Sequence, residues 1–510
     1  MKAFSYAFRD AQNLMNGPAM LERKTNPNTR SRLLCISISL FYLFFTIQNH
    51  AIAAAYYVSN SRGNDNKSGT SVKLPWKTIS KVNGFAFQPG DTILLNRGDI
   101  WREMLSLHRS GSKDGYITLS AYGTGEKPNI LGSELRTSMC DWTRKDNNKW
   151  ETTASVPTEP AIGPDVGNII FTMAQGPSLD TSTGIRVFNP KELNSQGKFL
   201  FDAVNKKITI YSTRNPAAMY TSLQCAVRFY AISISSQRYV RVENLALRYA
   251  SRHGICISDA DHIDISNCDI SYIGGSTQGS ARLGNGIEFW GRAENCHVES
   301  CSIHEIYDAA LTNQWDGSTG PANQNNITYS NNVIWNTESS FEFWNHDSQS
   351  VVDGIYFEHN TCLNAGGGWG HNQRLNWRTG WHVCIGNNPA KTTNVFVQYN
   401  IFANSIRSHG APDMLCGIMW RNQKEVSDVL SDNNSWFIET GSIAGVVTNG
   451  KSWPFEKHRE YVSYLKYNDT TFQDGNSVFV NPLISESNCG SSQPLGKILV
   501  FSLFNLNEKQ

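Results

Sequence analysis

A short phrase of alternating apolar residues recurs through the middle of the chain, and it constrains the fold more than any other feature. Apolar and polar residues alternate and lead into an Asn or Ser, and an apolar residue usually follows. Six copies are present: VRVENLAL (240–247), IDISNCDI (263–270), HVESCSIHEI (297–306), ITYSNNVIW (327–335), IYFEHNTCL (355–363) and VFVQYNIFA (395–403). A period of two is typical of β-strands, and no helix-period stripe of useful length lies between residues 56 and 420.

The spacing of these copies predicts a solenoid. The punctuating Asn or Ser recurs at steps of 23, 33, 31, 29 and 40 residues, at Asn244, Asn267, Ser300, Asn331, Asn360 and Asn400. Short strands at such drifting intervals are typical of stacked coils with loops of variable length, because one coil cannot bury its inner face alone. An Asn repeated at a bend suits a left-handed or bridging conformation, and stacked amides can hydrogen-bond from coil to coil.

The chain resembles a right-handed parallel β-helix protein of the pectin-lyase-like superfamily. The repeat carries this resemblance together with three opening segments: YYVSNSRGNDNKSGTSVKLPWKTISKVN (56–83), PGDTILLNRGDIWRE (89–103) and ITLSAYGTGEKPNILGS (117–133). Such openings are found in secreted bacterial polysaccharide lyases, glycoside hydrolases and alginate epimerases. The resemblance implies an all-β fold and a polysaccharide substrate. The shared motifs are turn chemistry and do not specify a reaction, so no catalytic residue is carried over.

Composition divides the chain into five predicted segments. Residues 56–133 are expected to form the first coils and cap, and residues 225–440 the central β-helix with the active face. Between them, residues 134–224 break the coil pattern and contain a strand, turn and strand in FDAVNKKITIYSTRNP (201–216), which predicts an inserted small β lobe. Residues 441–510 are predicted to hold a last coil and an atypical, truncated C-terminus.

Residues 1–55 have the parts of a secretory signal. Arg30 and Arg32 precede an uncharged run of fifteen residues, Leu33–Ile47, and small residues follow at 51–55. This order of basic flank, short apolar stretch and small-residue site is typical of a signal peptide, whereas a membrane span needs about 20 apolar residues. No second segment of spanning length is present. We therefore expect a secreted or periplasmic protein with no membrane span after signal removal.

Charge and cysteine content limit the kinds of partner and cofactor that are expected. The 45 Lys and Arg against 44 Asp and Glu leave a net charge of +1, so the concentrated basic stripe of a nucleic-acid binder is not expected. The eleven cysteines form no CxxC pair, and those in strand segments are expected to be mostly unpaired core residues. We predict a monomer without a cofactor. Four spaced aspartates are typical of turns, and Ca²⁺ binding is the weaker alternative for them: Asp259, Asp261, Asp264 and Asp269.

Aligning five strand segments by their alternation predicts a carboxylate pair. The segments are GICIS (254–258), GIEFW (286–290), ALTNQ (310–314), SFEFW (340–344) and WHVCI (381–385). The alignment turns Ile255, Ile287, Leu311, Phe341 and Trp381 inward, and Cys256, Glu288, Thr312, Glu342 and His382 outward. Glu288 and Glu342 then lie two coils apart, at about 10 Å, close to the acid–base spacing of inverting glycosidases. A one-residue error would turn both inward, and a solvated surface pair is the alternative.

A second predicted constellation suits a lyase. His371, Arg374 and His382 lie in the long coil 360–388. A lyase that acts on a uronic acid must neutralise its carboxylate, remove the C5 proton and protonate the leaving oxygen. Arg can bind a carboxylate through two hydrogen bonds, and His titrates near neutral pH. The alternative is a structural loop whose His and Arg side chains satisfy backbone carbonyls.

Tryptophan and histidine concentrate in the same part of the chain. Eight of the fourteen Trp lie between Trp290 and Trp420, and nine of the twelve His between His253 and His409. Polar, Gly-rich neighbours favour exposed loops that stack on sugar rings over core packing. The predicted substrate-binding residues are Trp290, Trp315, Asp316, Trp344, His346 and Trp369, with Asp308 and Asp347 as further candidates on adjacent coils.

These features predict a secreted enzyme that cleaves a polysaccharide in a groove on the β-helix face. Among the possible reactions, β-elimination of a uronic-acid-containing polysaccharide is slightly favoured, because lyases are common on this fold. Three alternatives remain open at this point: an inverting glycoside hydrolase that uses the Glu pair, a C5-epimerase, and a non-catalytic glycan-binding surface protein.

Overall fold

The computed structural model describes residues 53–157, 165–175, 178–279, 281–374, 380–386, 388–405, 419–421, 429–437, 444–448, 451–454 and 476–478. Most of the predicted signal peptide and most of the predicted C-terminal segment therefore lie outside the described residues. Within them, no helix is both long and apolar enough to span a membrane.

The described chain is almost entirely β, and its main strands stack in parallel in three columns, here called sheets A, B and C. Sheet A stacks Leu105–Leu107, Tyr230–Ser235, the first halves of His253–Ser266 and Ile287–Glu299, the second halves of Ser302–Trp315 and Val333–Asn345, Val383–Ile385, Met419–Arg421 and Ala444–Thr448. This arrangement confirms the predicted all-β parallel β-helix.

The other two columns continue the same coils. Sheet B stacks Ala55–Val58, Thr92–Asn96, Ile117–Tyr122, Arg238–Glu243, the second halves of His253–Ser266 and Ile287–Glu299, Gln324–Ser330, Val351–Glu358, Lys391–Gln398 and Val429–Asp432. Sheet C stacks Ile100–Trp101, Asn129–Leu131, Ala246–Arg248, Asp269–Ile273, the first halves of Ser302–Trp315 and Val333–Asn345, Thr361–Ala365, Ile401–Ser405 and Ser435–Phe437. The strand Lys451–Pro454 pairs antiparallel with Ala444–Thr448.

Inward side chains from successive coils form one continuous core. On sheet A, Ile255 pairs with Ile287, Ile287 with Leu311 and Leu311 with Phe341, and all four are fully buried. The predicted register therefore holds across four strands. It is wrong at the fifth strand, because Phe341 pairs with Val383 and not with Trp381.

The recurring Asn forms two adjacent columns where the sequence predicted one. Left-handed backbone occurs at Asn244, Asn267, Ser300, Asn331, His359, Tyr399 and Asn433. The next residue in the later coils is a buried Asn whose amide hydrogen-bonds to the coil above and below: Asn332, Asn360, Asn400 and Asn434. Asn360 and Asn400, which were predicted at the bend, therefore belong to this buried ladder, one position beyond the left-handed residues His359 and Tyr399.

A separate lobe interrupts the helix. One sheet contains Ser133–Leu135, Ile169–Gln175, Ser178–Thr183 and Ser222–Ala226; a second contains Trp142–Asp146, Lys149–Thr152, Ile185–Arg186, Lys198–Asp202 and Lys207–Tyr211. The lobe has its own apolar core, which includes Trp142, Phe171 and Phe199.

Helices are short and peripheral in the described chain. The α-helices are Ile79–Asn83 and Pro216–Met219, and the 3₁₀ turns are Met139–Asp141, Pro190–Glu192 and His371–Gln373. Among the described cysteines, Cys268, Cys296 and Cys301 are buried with free thiols, in agreement with the expectation of unpaired core cysteines.

Candidate active site

A cavity of about 650 Å³ opens on the outer face of sheet A. Its floor consists of outward side chains of consecutive strands: Cys256, Glu288, Trp290, Gln314, Glu342 and Trp344. One wall is the antiparallel hairpin of Ser276–Gln278 and Ala281–Leu283, which contributes Gln278, Ala281 and Leu283. A cavity of this size suits a few sugar units.

Glu288 lies almost completely buried on the cavity floor, at 4% exposure. Its carboxylate faces three donors: His253 Nε2 at 3.1 Å, Asn285 Nδ2 at 3.1 Å and the Cys256 thiol at 3.7 Å. Burial raises the pKa of Glu288 to about 7, although the bonds from Asn285 and Cys256 lower it. Glu288 is therefore a carboxyl group that gains and loses its proton near neutral pH.

His253 is a neutral donor to Glu288. Its Nδ1 accepts the backbone N–H of Asn285 at 3.1 Å, so the hydrogen is on Nε2, which faces the Glu288 carboxylate. Burial lowers the pKa of His253 to about 3, which keeps the ring uncharged. Sequence reasoning missed His253 and Asn285, although His253 lies directly before the first aligned segment, GICIS.

Glu342 is the second carboxyl group on the cavity floor. It accepts a hydrogen bond of 2.7 Å from Gln314 Nε2. Burial raises the pKa of Glu342 to about 8, the Asp308 carboxylate raises it further and Arg374 lowers it. Glu342 therefore holds its proton at neutral pH.

The two glutamates are separated by one intervening strand. Glu288 pairs with Thr312, and Thr312 pairs with Glu342. At about 4.8 Å per strand, their Cα atoms lie about 10 Å apart along the outer face. Thr312 itself is fully buried and does not line the cavity, so of these three outward residues the two glutamates reach it.

Asp308 supplies a third carboxyl group to the cavity. It lies where the pairing of Ser302–Trp315 with Val333–Asn345 shifts register, between Ile306 and Ala309, and such an irregularity re-aims side chains. Its Oδ1 lies 2.9 Å from Arg374 NH1. Burial raises the pKa of Asp308, and Arg374 lowers it.

Aromatic residues lie beside the glutamates on the cavity floor. Trp290 and Trp344 line the cavity with centroids 5.9 Å apart and rings at 88°, and Asp316 lines it as well. Trp315 packs edge-on against Trp290 and donates to the Gly320 carbonyl, while His346 stacks on Trp344. Of these residues, Trp315 and His346 do not line the cavity.

The residues predicted for β-elimination lie outside the cavity lining. His382 is fully buried between the Ser340 hydroxyl and the Asn404 carbonyl, at 3.0 Å from each, and burial lowers its pKa to about 4. Its predicted outward position is wrong because the strand begins only at Val383, which places Cys384 opposite Glu342.

His371 and Arg374 form a layer behind the cavity. His371 is buried with its Nδ1 2.8 Å from Glu338, and Arg374 lies between Asp308 and Glu338, at 2.9 and 3.8 Å. Trp369 donates its ring N–H to the Glu305 carbonyl, away from the lining residues. In the described part of the chain, no cluster of three or more His, Cys, Asp or Glu has a geometry that suits a metal ion.

Comparisons with known proteins give partial matches. No family model matches the chain. A lacto-N-biosidase from Bifidobacterium longum subsp. longum is 37% identical over 99 residues, which cover 18% of this chain and 6% of that protein. The matched region thus represents a small part of the curated relative.

Solved structures with similar folds include three carbohydrate-active proteins. A glycoside hydrolase has a TM-score of 0.44 at 11% identity, covering 78% of this chain and 96% of its own. An alginate lyase from Paenibacillus has a TM-score of 0.43 at 11% identity, with 74% and 90% covered. A GH136 lacto-N-biosidase from Eubacterium ramulus has a TM-score of 0.37 at 13% identity, with 84% and 67% covered.

Proposed function

We propose that the protein is a glycoside hydrolase that cleaves a glycan in the sheet A cavity, with Glu342 as general acid and Glu288 as general base. The observation that carries the proposal is the presence of two carboxyl groups, with pKa values of about 8 and about 7, on the floor of one cavity. Two carboxyl groups that titrate near neutral pH are what acid–base hydrolysis of a glycoside requires.

The environments of the two groups support these roles. Glu288 faces three donors, which favour its ionised form, so it can take a proton from water as the water oxygen bonds to the anomeric carbon. The glycosidic C–O bond breaks with its electrons on the leaving oxygen, and protonated Glu342 supplies the proton. The Cα spacing of the two glutamates, about 10 Å, is close to the acid–base spacing of inverting enzymes.

Hydrolysis fits this cavity better than elimination does. The general base of a lyase must reach the C5 proton, and a cation must meet the uronate carboxylate. His371 and His382 are buried outside the lining, and Arg374 is held between Asp308 and Glu338. The partial similarity to a lacto-N-biosidase accords with a glycan substrate. We also propose that residues 1–55 direct export of the protein and that it acts as a monomer.

The proposal is tested by incubating the protein with a panel of neutral and uronic-acid glycans. New reducing ends and the ultraviolet absorbance of an unsaturated uronide are followed together. We expect reducing ends alone, lost in Glu342→Gln and in Glu288→Gln. Glu299→Gln is a matched control, since Glu299 is exposed on the same strand as Glu288.

Three results would contradict hydrolysis. Ultraviolet absorbance that rises with the reducing ends would establish a lyase. Conversion of a uronate to its C5 epimer without new ends would establish an epimerase. Glycan binding without turnover, by protein shown to be folded, would establish a binding protein.

A further inference from the structure

We propose that the cavity selects an uncharged glycan and discriminates against uronic acids. This inference rests on the proposed hydrolase function and adds the class of sugar that the site accepts. It departs from the uronic-acid substrate that the sequence favoured.

The charge of the cavity lining carries the inference. Four of the lining residues are carboxylic acids: Glu288, Asp308, Asp316 and Glu342. The lining histidine, His253, is a neutral donor engaged by Glu288, and the lining arginine is Arg252. Glu342 is protonated at neutral pH and Asp308 is paired with Arg374, so the charge that a uronate would meet is that of Glu288, which must be ionised to act as the base. A uronate that enters would bring a second negative charge beside it, in a confined space where like charges interact more strongly than in water.

Arg252 lines the cavity, and Arg374 binds the lining residue Asp308. The Arg252 guanidinium lies over the Phe229 ring, 4.1 Å from its centroid, and its Nε has no hydrogen-bond partner in the described part of the chain. Arg374 lies between Asp308 and Glu338 and does not line the cavity. A uronate carboxylate would need a charge-assisted partner to offset its lost hydration. Arg252 is the residue that would have to turn toward it.

The remaining lining suits a neutral sugar. Trp290 and Trp344 offer ring surface for the apolar C–H face of a pyranose, and Leu283 extends the apolar wall. The amide of Gln278 can exchange hydrogen bonds with hydroxyl groups. Apolar walls with a few polar groups are typical of sites that bind uncharged ligands.

The experiment compares matched pairs that differ in one carboxyl group. The pairs are nitrophenyl galactosides and galacturonides, nitrophenyl glucosides and glucuronides, and polyuronides with their carboxyl-reduced counterparts. We expect kcat/KM to be higher for the neutral member by about tenfold or more, which corresponds to one strongly unfavourable interaction in the transition state. Glu342→Gln should abolish cleavage of the carboxyl-reduced polymers.

The outcomes separate the two proposals. Equal or faster cleavage of the uronate members, lost in Glu288→Gln and weakened in Arg252→Leu, would overturn the inference and leave the hydrolase proposal intact. If no member is cleaved, the hydrolase proposal fails, and quenching of tryptophan fluorescence in the same titrations decides the substrate class. Preferential quenching by neutral oligosaccharides would support the inference, whereas uronate preference or no quenching would overturn it.

Discussion

The Asp165 carboxylate of the inserted lobe accepts two hydrogen bonds from Thr277, one from its backbone N–H at 2.7 Å and one from its hydroxyl at 2.8 Å. Thr277 lies on the hairpin that forms a cavity wall. Asp165 is also bound by both terminal nitrogens of Arg186, at 2.6 and 2.8 Å, and is 6% exposed. A buried ion pair in the lobe therefore fixes the position of a wall of the site.

Weakening this junction should impair substrate binding before it impairs chemistry. Asp165→Asn keeps the size of the side chain but removes the charge that holds Arg186. We expect KM to rise several-fold with kcat little changed, because the hairpin carries cavity residues but neither glutamate. We also expect a loss of about 1–3 kcal/mol in the free energy of unfolding.

The matched control is Asp146→Asn, an exposed aspartate of the same lobe. Steady-state kinetics and denaturant unfolding are measured on both variants. A fall in kcat at unchanged KM in Asp165→Asn would show that the junction acts on the glutamates and not on the wall.

The rate should depend on pH with a narrow optimum. Glu288 must be ionised, which requires a pH above its pKa of about 7, and Glu342 must be protonated, which requires a pH below about 8. A profile of kcat/KM should therefore fall below pH 7 and above pH 8. The decline below pH 7 is due to Glu288 and the decline above pH 8 to Glu342. A variant that loses one of these declines therefore identifies the group that causes it.

A substrate with a good leaving group tests which residue causes the decline in rate above pH 8. An aryl glycoside with a good leaving group needs little proton donation, so Glu342→Gln should cleave it with substantial residual activity and without the decline above pH 8. A decline that persists in Glu342→Gln would assign the acid to another residue, and Asp308 is then the next to test.

Much of the fold was predictable from the sequence because the repeat is periodic. Alternation alone placed Ile255, Ile287, Leu311 and Phe341 in one inward column, and hence Glu288 and Glu342 in one outward column. The prediction failed at Trp381 because the preceding sequence, residues 366–380, has no alternation to set where the next strand begins. The sequence also did not separate the left-handed corner from the buried amide ladder. Asn occurs at both positions, as in the adjacent pair Asn331 and Asn332, so one residue type marks two different roles.

The cavity itself was less predictable. His253 and Asn285 lie where two strands begin, at which alternation gives no direction, and Asp308 faces the cavity through a local shift in pairing. The hairpin wall contains no residue type that indicates catalysis. The buried positions of His371 and His382 depend on carboxylate, hydroxyl and carbonyl partners from other coils, which no local motif specifies.

Glu288 should make the stability of the protein fall as pH rises. Its pKa is about 7 in the folded protein against a usual value of 4.5, so the folded state binds this proton more tightly than the unfolded chain does. The stabilisation is present below pH 4.5 and is lost as pH rises through about 7. Glu288→Gln removes this dependence and should gain about 2–3 kcal/mol relative to wild type between pH 5 and pH 8.

Denaturant unfolding of both proteins at pH 5 and pH 8 measures this difference, with Glu299→Gln as a control for general charge effects. A constant offset between Glu288→Gln and wild type at the two pH values would show that Glu288 titrates normally in the folded protein. It would also remove the basis for its assignment as the base.

His382 should be required for stability and not for turnover. It is fully buried, donates from Nε2 to the Asn404 carbonyl and accepts at Nδ1 from the Ser340 hydroxyl, each at 3.0 Å, and packs against the Phe402 ring. His382→Gln should lower the free energy of unfolding by about 1–3 kcal/mol, because it leaves a buried partner unsatisfied. At a temperature where both proteins are folded, kcat and its pH profile should match wild type. A loss of turnover by orders of magnitude in folded His382→Gln would instead return this histidine to the chemistry and favour elimination over hydrolysis.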